Sequence, residues 1–395
     1  MTNNPERIGP GAVTNSRRSA NVNRLLDTLR TEGPSSQAQL ARTLNVSAAT
    51  VNAIVRDLKK HGTVEIRPIN GREGVVTLVT GSGTYVTIEI ADHSIRGAAY
   101  AFSHQERVEK RIDGDSTIEA ALELISDLAE AVGTTAHAID GLAVAVQAPI
   151  ERATGAIAPW CNSRLPAWAG VDISAAFRRA LDVPVLVDND ANFAALAEWT
   201  WGAGRGAEDL LYVRASEGVG GGVVINGSIY QGGSGMAGDL GHIAVDPGGD
   251  VCYCGSRGCL TTLISERAIV SAVRTSPGIK RTLTEVIAAA RAGDAACQRV
   301  LAEAGAYLGR ALANAAKILG PSLIAVGGEL GEAGPIVFDA LLSSVELSSL
   351  RSSENATRFV VGEIDESASL QGALAALLTE LGKGVSEIEP WMAAA

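Results

Sequence analysis

The sequence predicts an α/β protein in which a small winged helix-turn-helix precedes a larger domain of alternating strands and helices. Three observations support this prediction. Short amphipathic helices and a hairpin pattern fill the first 80 residues, and from Thr84 onward buried strands alternate with helices. Charge is also divided: residues 1–75 hold 11 Lys/Arg and 6 Asp/Glu, whereas the rest of the chain holds 22 and 38. The 395 residues suffice for two or three compact domains.

The composition excludes several classes of protein. The chain is 46% hydrophobic and 19% charged, as in ordinary globular proteins, and it has no run of about 18 apolar residues that would cross a membrane. Residues 1–20 are polar and lack the apolar core of a secretory signal. We expect them to form a flexible tail and the protein to be cytoplasmic. A basic head on an acidic body is typical of a local nucleic-acid site, although charge alone is equally compatible with a solvated basic face.

Residues 21–80 predict three helices followed by a wing. Apolar residues recur at helical spacing from Val22 to Leu29, and Gly33-Pro34 ends this first helix. Ser36 begins a second helix and has capping-box spacing to Gln39. Ser47 caps a third helix, which starts with polar side chains. Two short helices joined by a tight turn form the helix-turn-helix pattern.

The third helix and the wing are predicted to contact DNA. The strand-like runs Thr63–Arg67 and Val75–Val79 flank the turn of the wing. Short hydroxyl and amide side chains can reach base edges in the major groove, whereas arginines contact phosphate or, at a wing tip, the minor groove. The alternative is a small helical protein-interaction module, which leaves the wing and the local positive charge unexplained. The predicted DNA-binding residues are Ser47, Ala49, Thr50, Asn52, Arg56 and Arg72.

In the larger domain, the informative residues lie where predicted strands end. Asp190 follows the strand Val185–Val187 and precedes a helix, whose N-terminus favours an anion. A carboxylate there can accept a hydrogen bond from a sugar hydroxyl or take its proton, although an ordinary helix cap is the alternative. The glycine-rich turn Ala215–Gly222 is of the kind that cradles phosphate, which is a weak signal alone. The other predicted strands are Tyr85–Ile90, Ala98–Phe102, Leu142–Val146, Leu210–Val213 and Leu323–Val326, with a helix at about Thr117–Val132.

The loop at about 238–262 predicts a metal site. Four nitrogen and sulfur ligands in one compact loop match a closed, tetrahedral, structural zinc site. The alternative is four unligated side chains, and the remaining cysteines, Cys161 and Cys297, are expected in the core. The predicted zinc ligands are His242, Cys252, Cys254 and Cys259.

In order and spacing, these motifs resemble the ROK family (repressor, open reading frame, kinase), in its NagC/XylR-type regulator branch. The matching residues are Asn189-Asp190, the run Gly238–His242, and Cys-x-Cys-Gly-x-x-Gly-Cys-Leu at 252–260. The resemblance covers nearly the whole chain. It implies a winged helix-turn-helix at 21–80 and a two-lobed, actin-like sugar-kinase fold at 81–395. It further implies a sugar or sugar derivative in the cleft, zinc beside it, and a homodimer or dimer of dimers bound to double-stranded operator DNA.

Departures from the kinase members of this family argue against catalysis. The kinase domain begins with Asp-x-Gly-Gly-Thr-Lys, a loop that holds ATP phosphate. This chain has Glu89–Ser94 at the matching place, which brings Asp92 toward the phosphate position. Their second phosphate loop, Gly-Thr-Gly-x-Gly, is here Ser216–Gly220 with Glu217 in it. Like charges at close range oppose nucleotide binding. We therefore expect that the protein binds no ATP and has no catalytic residue. Asp190, which matches the catalytic base of the kinases, is expected to be vestigial. The alternative is an ATP-dependent sugar kinase that keeps a DNA-binding head.

The sugar side of the pocket also departs from the kinases. Asp239 and Thr261 each stand where kinases have Glu, and Gln147-Ala148-Pro149 replaces Pro-Gly-Pro. The expected function is a sugar-responsive transcriptional repressor with no membrane partner. A constitutive DNA-binding protein with a dead pocket is the other alternative. The predicted ligand-binding residues are Asn162, Asn189, Asp190, Asp239 and His242.

Overall fold

The computed structural model describes residues 21–22, 24–25, 28–29, 33–60, 64–69, 73–78, 83–102, 106–273, 282–348 and 357–383. The predictions made for residues 1–20 and for Arg72 lie outside these ranges. The chain divides into two compact units: residues 1–82 with 378–395, and residues 83–377.

The N-terminal unit contains the predicted helices and wing strands. The described residues between 21 and 29 are helical and bury Leu25 and Leu29. Two helices follow, α1 (Gln37–Leu44) and α2 (Ala48–Lys60). Their apolar faces pack with the first helix and with Val64 and Val76 of the sheet. The antiparallel sheet has the order β1-β3-β2 and consists of β1 (Ser35–Ser36), β2 (Val64–Ile69) and β3 (Glu73–Leu78).

Side-chain caps hold the helix-turn-helix in shape, as the sequence predicts. The Gln39 backbone N–H donates to Ser36 Oγ at 3.2 Å, and the Ser36 N–H donates to Gln39 Oε1 at 2.8 Å, which completes the capping box. The Thr50 N–H donates to Ser47 Oγ at 3.1 Å. Asn45, with φ of 52°, makes the left-handed turn between the two helices, a conformation that asparagine tolerates better than most residues.

The second unit is built on two five-stranded sheets that share one topology. In each sheet three antiparallel strands come first, and two parallel strands then extend it on the other side. The first sheet has the order β6-β5-β4-β7-β8 and the second the order β11-β10-β9-β12-β13. This repetition produces the two lobes that the family resemblance implies.

The strands of the first sheet are β4 (Thr84–Ile90), β5 (Ser94–Ala101), β6 (Glu106–Asp113), β7 (Gly141–Val146) and β8 (Val185–Asn189). Those of the second are β9 (Asp209–Ala215), β10 (Val219–Ile225), β11 (Ser228–Ile229), β12 (Leu323–Gly327) and β13 (Arg358–Val361). Every strand predicted from the sequence is present, most of them longer by one or a few residues.

Helices α3 (Ile118–Ala131) and α4 (Ile173–Leu181) accompany the first sheet. The others are α5 (Asp190–Trp201), α6 (Thr261–Ile264), α7 (Glu266–Ala272), α8 (Leu283–Arg291), α9 (Ala295–Leu319), α10 (Glu329–Glu332), α11 (Pro335–Ser348) and α12 (Ala368–Glu380). Within the described ranges, no helix combines the length and apolar character needed to cross a membrane.

Each lobe has its own apolar core. Val86, Ile88 and Phe177 belong to the core beside the first sheet, and Leu211 and Leu308 to the core beside the second. The functional side chains described below come from the ends of β4, β8 and β9. Strand ends from the two sheets therefore meet at one place, which positions polar groups from both lobes around a common space.

Candidate functional site

A cavity in the second unit brings together four of the five predicted ligand-binding residues: Asn189, Asp190, Asp239 and His242. Side chains that the sequence analysis did not select also line it, most notably Trp160, Arg164, Arg214 and Tyr253. Polar groups with aromatic walls are the usual lining of a pocket for a small polar molecule.

Asn162 is not among the residues that line this cavity, and its contact with a ligand stays a prediction. A 3-10 turn at Pro159–Cys161 precedes Asn162, and Trp160 of that turn lines the cavity instead. The Trp160 ring makes an edge contact with the His242 ring, with centroids 4.7 Å apart. The loop before Trp168 is irregular, so sequence spacing gave no frame for deciding which of its residues faces inward.

Asn189 and Asp190 have different local roles at the junction of β8 and α5. The Asn189 side-chain oxygen accepts from the N–H groups of Ala191 at 3.0 Å and Asn192 at 3.3 Å, so Asn189 is the helix cap. The Asn189 amide also donates to Asp190 Oδ1 at 3.1 Å. The helix cap is therefore Asn189 and not Asp190, which the sequence had left as an alternative. The Asp190 carboxylate lines the cavity.

A buried ion-pair network surrounds Asp190. Arg214 on β9 donates through Nη1 to Asp190 Oδ2 at 2.5 Å and to Glu89 Oε1 at 3.3 Å. Arg96 on β5 donates to Glu89 Oε2 at 2.6 Å. Gln147 and the Ser369 hydroxyl also donate to Glu89. The network therefore joins β4 and β5 of one lobe to β9 of the other.

The pKa values in this network follow from burial and from the two cations. Burial alone would raise the pKa of Glu89, but Arg214 and Arg96 lower it to about 2, so Glu89 is ionised. The pKa of Asp190 is raised above its ordinary value, because burial and the charge of Glu89 outweigh the opposing effect of Arg214. Burial, together with the charge of Asp190, raises the pKa of Asp239 to about 7. The floor of the cavity thus holds acidic groups whose protonation depends on nearby charge.

Sequence reasoning missed Arg214, although a signal for it existed. Arg214 lies near the end of β9, where the four preceding residues of the strand are all buried. A charged residue in such a strand needs a partner or a functional reason. Its partners, Asp190 and Glu89, lie 24 and 125 residues away along the chain, and no local pattern identifies them.

The four predicted zinc ligands form one cluster, in which all four ligand atoms lie within 4.8 Å of one another. Cys252 Sγ lies 3.4 Å from His242 Nδ1, and Cys254 Sγ lies 3.7 Å from Cys259 Sγ. Tetrahedral zinc with sulfur at about 2.3 Å and nitrogen at about 2.0 Å requires ligand atoms roughly 3.5–3.8 Å apart. The cluster is therefore consistent with a zinc site.

The loop that carries the cysteines is shaped by its own backbone. The Cys252 N–H donates to the Ser256 carbonyl at 2.8 Å, and the Gly258 N–H donates to the Asp250 carbonyl at 2.8 Å. Gly258 has a φ of +66°, and a Cβ there would lie 1.5 Å from the Asp246 carbonyl oxygen. Only glycine fits at this position, and the tight turn it permits brings Cys259 back toward Cys252 and Cys254.

The orientation of His242 suits metal binding through Nδ1. The other ring nitrogen, Nε2, lies 3.1 Å from the Tyr253 hydroxyl. Burial, with a contribution from Arg164, lowers the pKa of His242 to about 4, so the imidazole is neutral and can donate a lone pair. Burial also raises the pKa of the Cys259 thiol to about 12. Such a thiol becomes a thiolate only when a cation such as zinc stabilises it.

The residues that replace the phosphate loops of kinases lie around a second, more open cleft. Asp92 and Glu217 both line it. Arg164 Nε lies 3.8 Å from Asp92 Oδ2. The Ser216 hydroxyl accepts from the Glu329 N–H at 3.2 Å, at the first residue of α10. This hydroxyl is therefore engaged in the fold of the second lobe.

The predicted DNA-contacting side chains lie just before α2, at its start and along its exposed face. Ser47, Ala49, Asn52 and Arg56 are exposed, and Thr50 is half-buried. The hydroxyls of Ser47 and Thr50 lie 2.8 Å apart. An exposed, polar start of the second helix is the arrangement with which a helix-turn-helix reads bases. Arg72, the sixth predicted contact, lies outside the described residues.

Comparison with known proteins agrees with this architecture. A ROK family model matches residues 85–380, and a winged helix-turn-helix DNA-binding model matches residues 19–65. The DNA-binding transcriptional dual regulator NagC of Escherichia coli is 26% identical over 398 residues, 96% of each chain. The xylose repressor of Bacillus subtilis is 27% identical over 81% of this chain and 85% of its own.

Kinases match as well, over a smaller part of the chain. A glucokinase of Halalkalibacterium halodurans is 35% identical over 222 residues, 52% of this chain and 67% of its own.

Among solved structures, a ROK family transcriptional regulator homologous to the E. coli MLC protein covers 95% of this chain and 99% of its own, with a TM-score of 0.75 and 21% identity. The relatives named above that match nearly end to end are thus regulators. The chain belongs to the ROK family and is a DNA-binding transcriptional regulator similar to NagC and to the xylose repressors.

Proposed function

We propose that this chain is a sugar-responsive repressor whose ROK domain binds its effector without phosphorylating it. The observation that carries the proposal is the cavity, where Asn189, Asp190 and Asp239 surround a space walled by Trp160 and Tyr253. Carboxyl and amide groups suit the hydroxyls of a sugar, and aromatic rings suit its apolar faces. Relatives named for xylose and N-acetylglucosamine support this class of ligand.

The absence of kinase activity is proposed on two grounds. Asp190 would have to take a proton from a sugar hydroxyl, yet its carboxylate is ion-paired to Arg214 at 2.5 Å, which weakens it as a base. Asp92 and Glu217 line the cleft on the phosphate side. The Glu217 carboxylate there opposes the approach of a polyanionic nucleotide, whereas Arg164 at 3.8 Å partly compensates Asp92.

The metal is proposed to be zinc with a structural role. His242 and the three cysteines fill four coordination positions, which leaves none open for a substrate. Bound zinc would fix a loop that has little apolar core of its own. It would also hold His242 where that residue lines the cavity, so metal and effector sites share one side chain.

The DNA partner is proposed to be a double-stranded operator, contacted by Ser47, Ala49, Thr50, Asn52, Arg56 and Arg72. The proposed domain bounds are 1–20 for a tail, 21–80 for the winged helix-turn-helix, which we call the reading head, and 81–395 for the ROK domain. Paired half-sites would be read by a homodimer or a dimer of dimers.

Fluorescence anisotropy tests the proposal with DNA from upstream of the protein's own gene. The protein should bind tightly in the presence of nonspecific competitor. Xylose, N-acetylglucosamine or glucose should weaken binding, because an effector that prefers one arrangement of the lobes shifts the DNA-binding equilibrium. Asp190→Asn should lose this response, whereas Asp182→Asn, at an exposed carboxyl, should keep it. Tight DNA binding that no sugar alters would support a constitutive regulator with a dead pocket.

The kinase alternative is tested separately. A coupled assay of ATP-dependent phosphorylation, with the same sugars, should show no turnover above the background. Turnover that disappears in Asp190→Asn would establish an enzyme with a DNA-binding head and would overturn the non-catalytic proposal.

A further inference from the structure

We propose that Arg214 is a positioning residue of the effector site: it holds the Asp190 carboxylate ionised and fixed as a hydrogen-bond acceptor at the floor of the cavity. The role of Asp190 toward the effector rests on the function proposed above. The electrostatic interaction between Arg214 and Asp190 does not rest on that function, and it can be measured without any ligand.

Geometry is the first support. Arg214 and Asp190 both line the cavity, with side chains only 17% and 12% exposed, and Arg214 Nη1 lies 2.5 Å from Asp190 Oδ2. Among the described residues, Arg214 is the cation that forms an ion pair with Asp190. The other nearby guanidinium, Arg96, is directed at Glu89, at Ser369 and at the Glu366 carbonyl.

The remaining titratable groups around Asp190 favour its protonated form. Glu89 on β4 and Asp239, which follows β11, are acids. Burial raises the pKa of Tyr212 on β9, so its phenol is neutral and adds no opposing charge. Burial acts in the same direction. Arg214 is thus the cation that opposes this increase in pKa and favours the ionised form of Asp190. Without it, the carboxyl would retain a proton and would donate a hydrogen bond as well as accept one.

Two consequences for recognition follow. An ionised carboxylate only accepts hydrogen bonds, so this point of the cavity selects an effector with a hydroxyl or amide donor. Arg214 also reaches across the lobes, since it belongs to β9 and contacts Glu89 of β4. An effector bound to Asp190 therefore contacts the Arg214–Asp190 ion pair, which belongs to the network that joins the two sheets. Binding there can favour one arrangement of the lobes over another.

The first test compares Arg214→Met, Arg214→Lys, Asp190→Asn and the double variant Arg214→Met/Asp190→Asn by thermal unfolding from pH 5 to pH 8. In Arg214→Met the folded state should hold a proton on Asp190 that the unfolded state releases, so the unfolding temperature should fall by several degrees as pH rises. Every variant keeps a slope from Asp239, because burial raises the pKa of that residue to about 7. The double variant lacks the Asp190 carboxyl and should show only this smaller slope, and Arg214→Lys should resemble the wild type.

If Arg214→Met does not fold at pH 7.5, the double variant decides, because removal of both charges should restore folding. Equal pH slopes in Arg214→Met and the double variant, or a double variant less stable than Arg214→Met at pH 8, would overturn the proposal.

The second test uses calorimetry with xylose, N-acetylglucosamine and glucose. For whichever of these the wild type binds, Arg214→Met should weaken affinity on the order of tenfold or more, and more so at low pH, while Arg214→Lys recovers most of it. Affinity that is unchanged in Arg214→Met would overturn the positioning role. Absence of binding to the wild type would count against the sugar function alone, and the pH comparison would still decide the relation between Arg214 and Asp190.

Discussion

Glu89 keeps its charge in a place where a carboxylate is normally unfavourable. Its side chain is 2% exposed, and Arg96 and Arg214 approach it from two strands. Burying an ionised group costs several kcal/mol unless partners compensate. Here two guanidinium groups and two neutral donors provide that compensation, so the loss of any one member leaves another member of the network uncompensated.

Replacing Glu89 by Gln should lower the free energy of unfolding at pH 7 by about 3–5 kcal/mol, because two buried guanidinium groups lose a shared partner. The pKa of Glu89 is lowered from 4.5 in the unfolded chain to about 2. Its contribution is therefore fully present above about pH 4.5 and is lost as pH falls toward 2. Urea unfolding of wild type and variant should differ most at neutral pH and converge in acid.

Glu106→Gln, at an exposed position of β6, is the matched control and should be nearly neutral. A difference between wild type and Glu89→Gln that stays constant from pH 7 to pH 3 would show that the charge of Glu89 is not what stabilises the fold.

At the metal cluster, Cys254→Ser should release zinc and lower the unfolding temperature, because a closed structural site contributes its binding free energy to folding. Elemental analysis of purified protein should find about one zinc per chain in the wild type and close to none in the variant. Cys297→Ala, a buried cysteine outside the cluster, should retain zinc. Full zinc content in Cys254→Ser would refute the assignment of this ligand.

Which of these residues the sequence can identify depends on how local their signals are. Asn189, Asp190 and the His242–Cys259 set lie in short runs with specific spacing, and the structure brings them together. Arg214 and Glu89 are far apart in sequence, and their pairing depends on the meeting of two sheets. Asn162 lies in an irregular loop, which has no periodicity from which to infer the direction of a side chain.

At the scale of elements, the helix-turn-helix depends on caps as well as on its small core. Its apolar cluster contains few fully buried side chains, so single hydrogen bonds at helix ends form a notable share of its stability. The capping box at Ser36 is local in sequence, and this explains why it could be predicted. The order of strands in each sheet is not local, and only the family resemblance anticipated two lobes.

Ser36→Ala should remove the first bond of this box and cost the reading head about 1 kcal/mol. The expected results are greater proteolytic sensitivity of the head and a modest loss of DNA affinity, with the zinc content unchanged. Thr43→Ala, exposed on the same helix, should leave proteolysis and affinity as in the wild type. If the two variants behave alike, the cap is not a significant support of α1.

At the scale of the whole molecule, the charge distribution determines how the protein approaches DNA. Residues 1–75 carry an excess of 5 positive charges within a chain of net charge -11. The acidic remainder is repelled by DNA, so binding must depend on the contacts of the head. Such binding falls steeply with salt, because each neutralised phosphate releases counterions.

Two exposed side chains of α2 should therefore respond differently to substitution. Arg56→Ala should weaken binding to all DNA sequences alike and reduce the slope of log affinity against log salt by about one, because it removes a phosphate contact. Asn52→Ala should leave that slope unchanged and lower affinity for the operator by about 1–3 kcal/mol relative to a scrambled site, because an amide reads a base edge. Anisotropy titrations of both variants at several salt concentrations, on both DNAs, separate these effects. An Asn52→Ala variant with normal discrimination would mean that α2 does not lie in the major groove with this residue toward the bases.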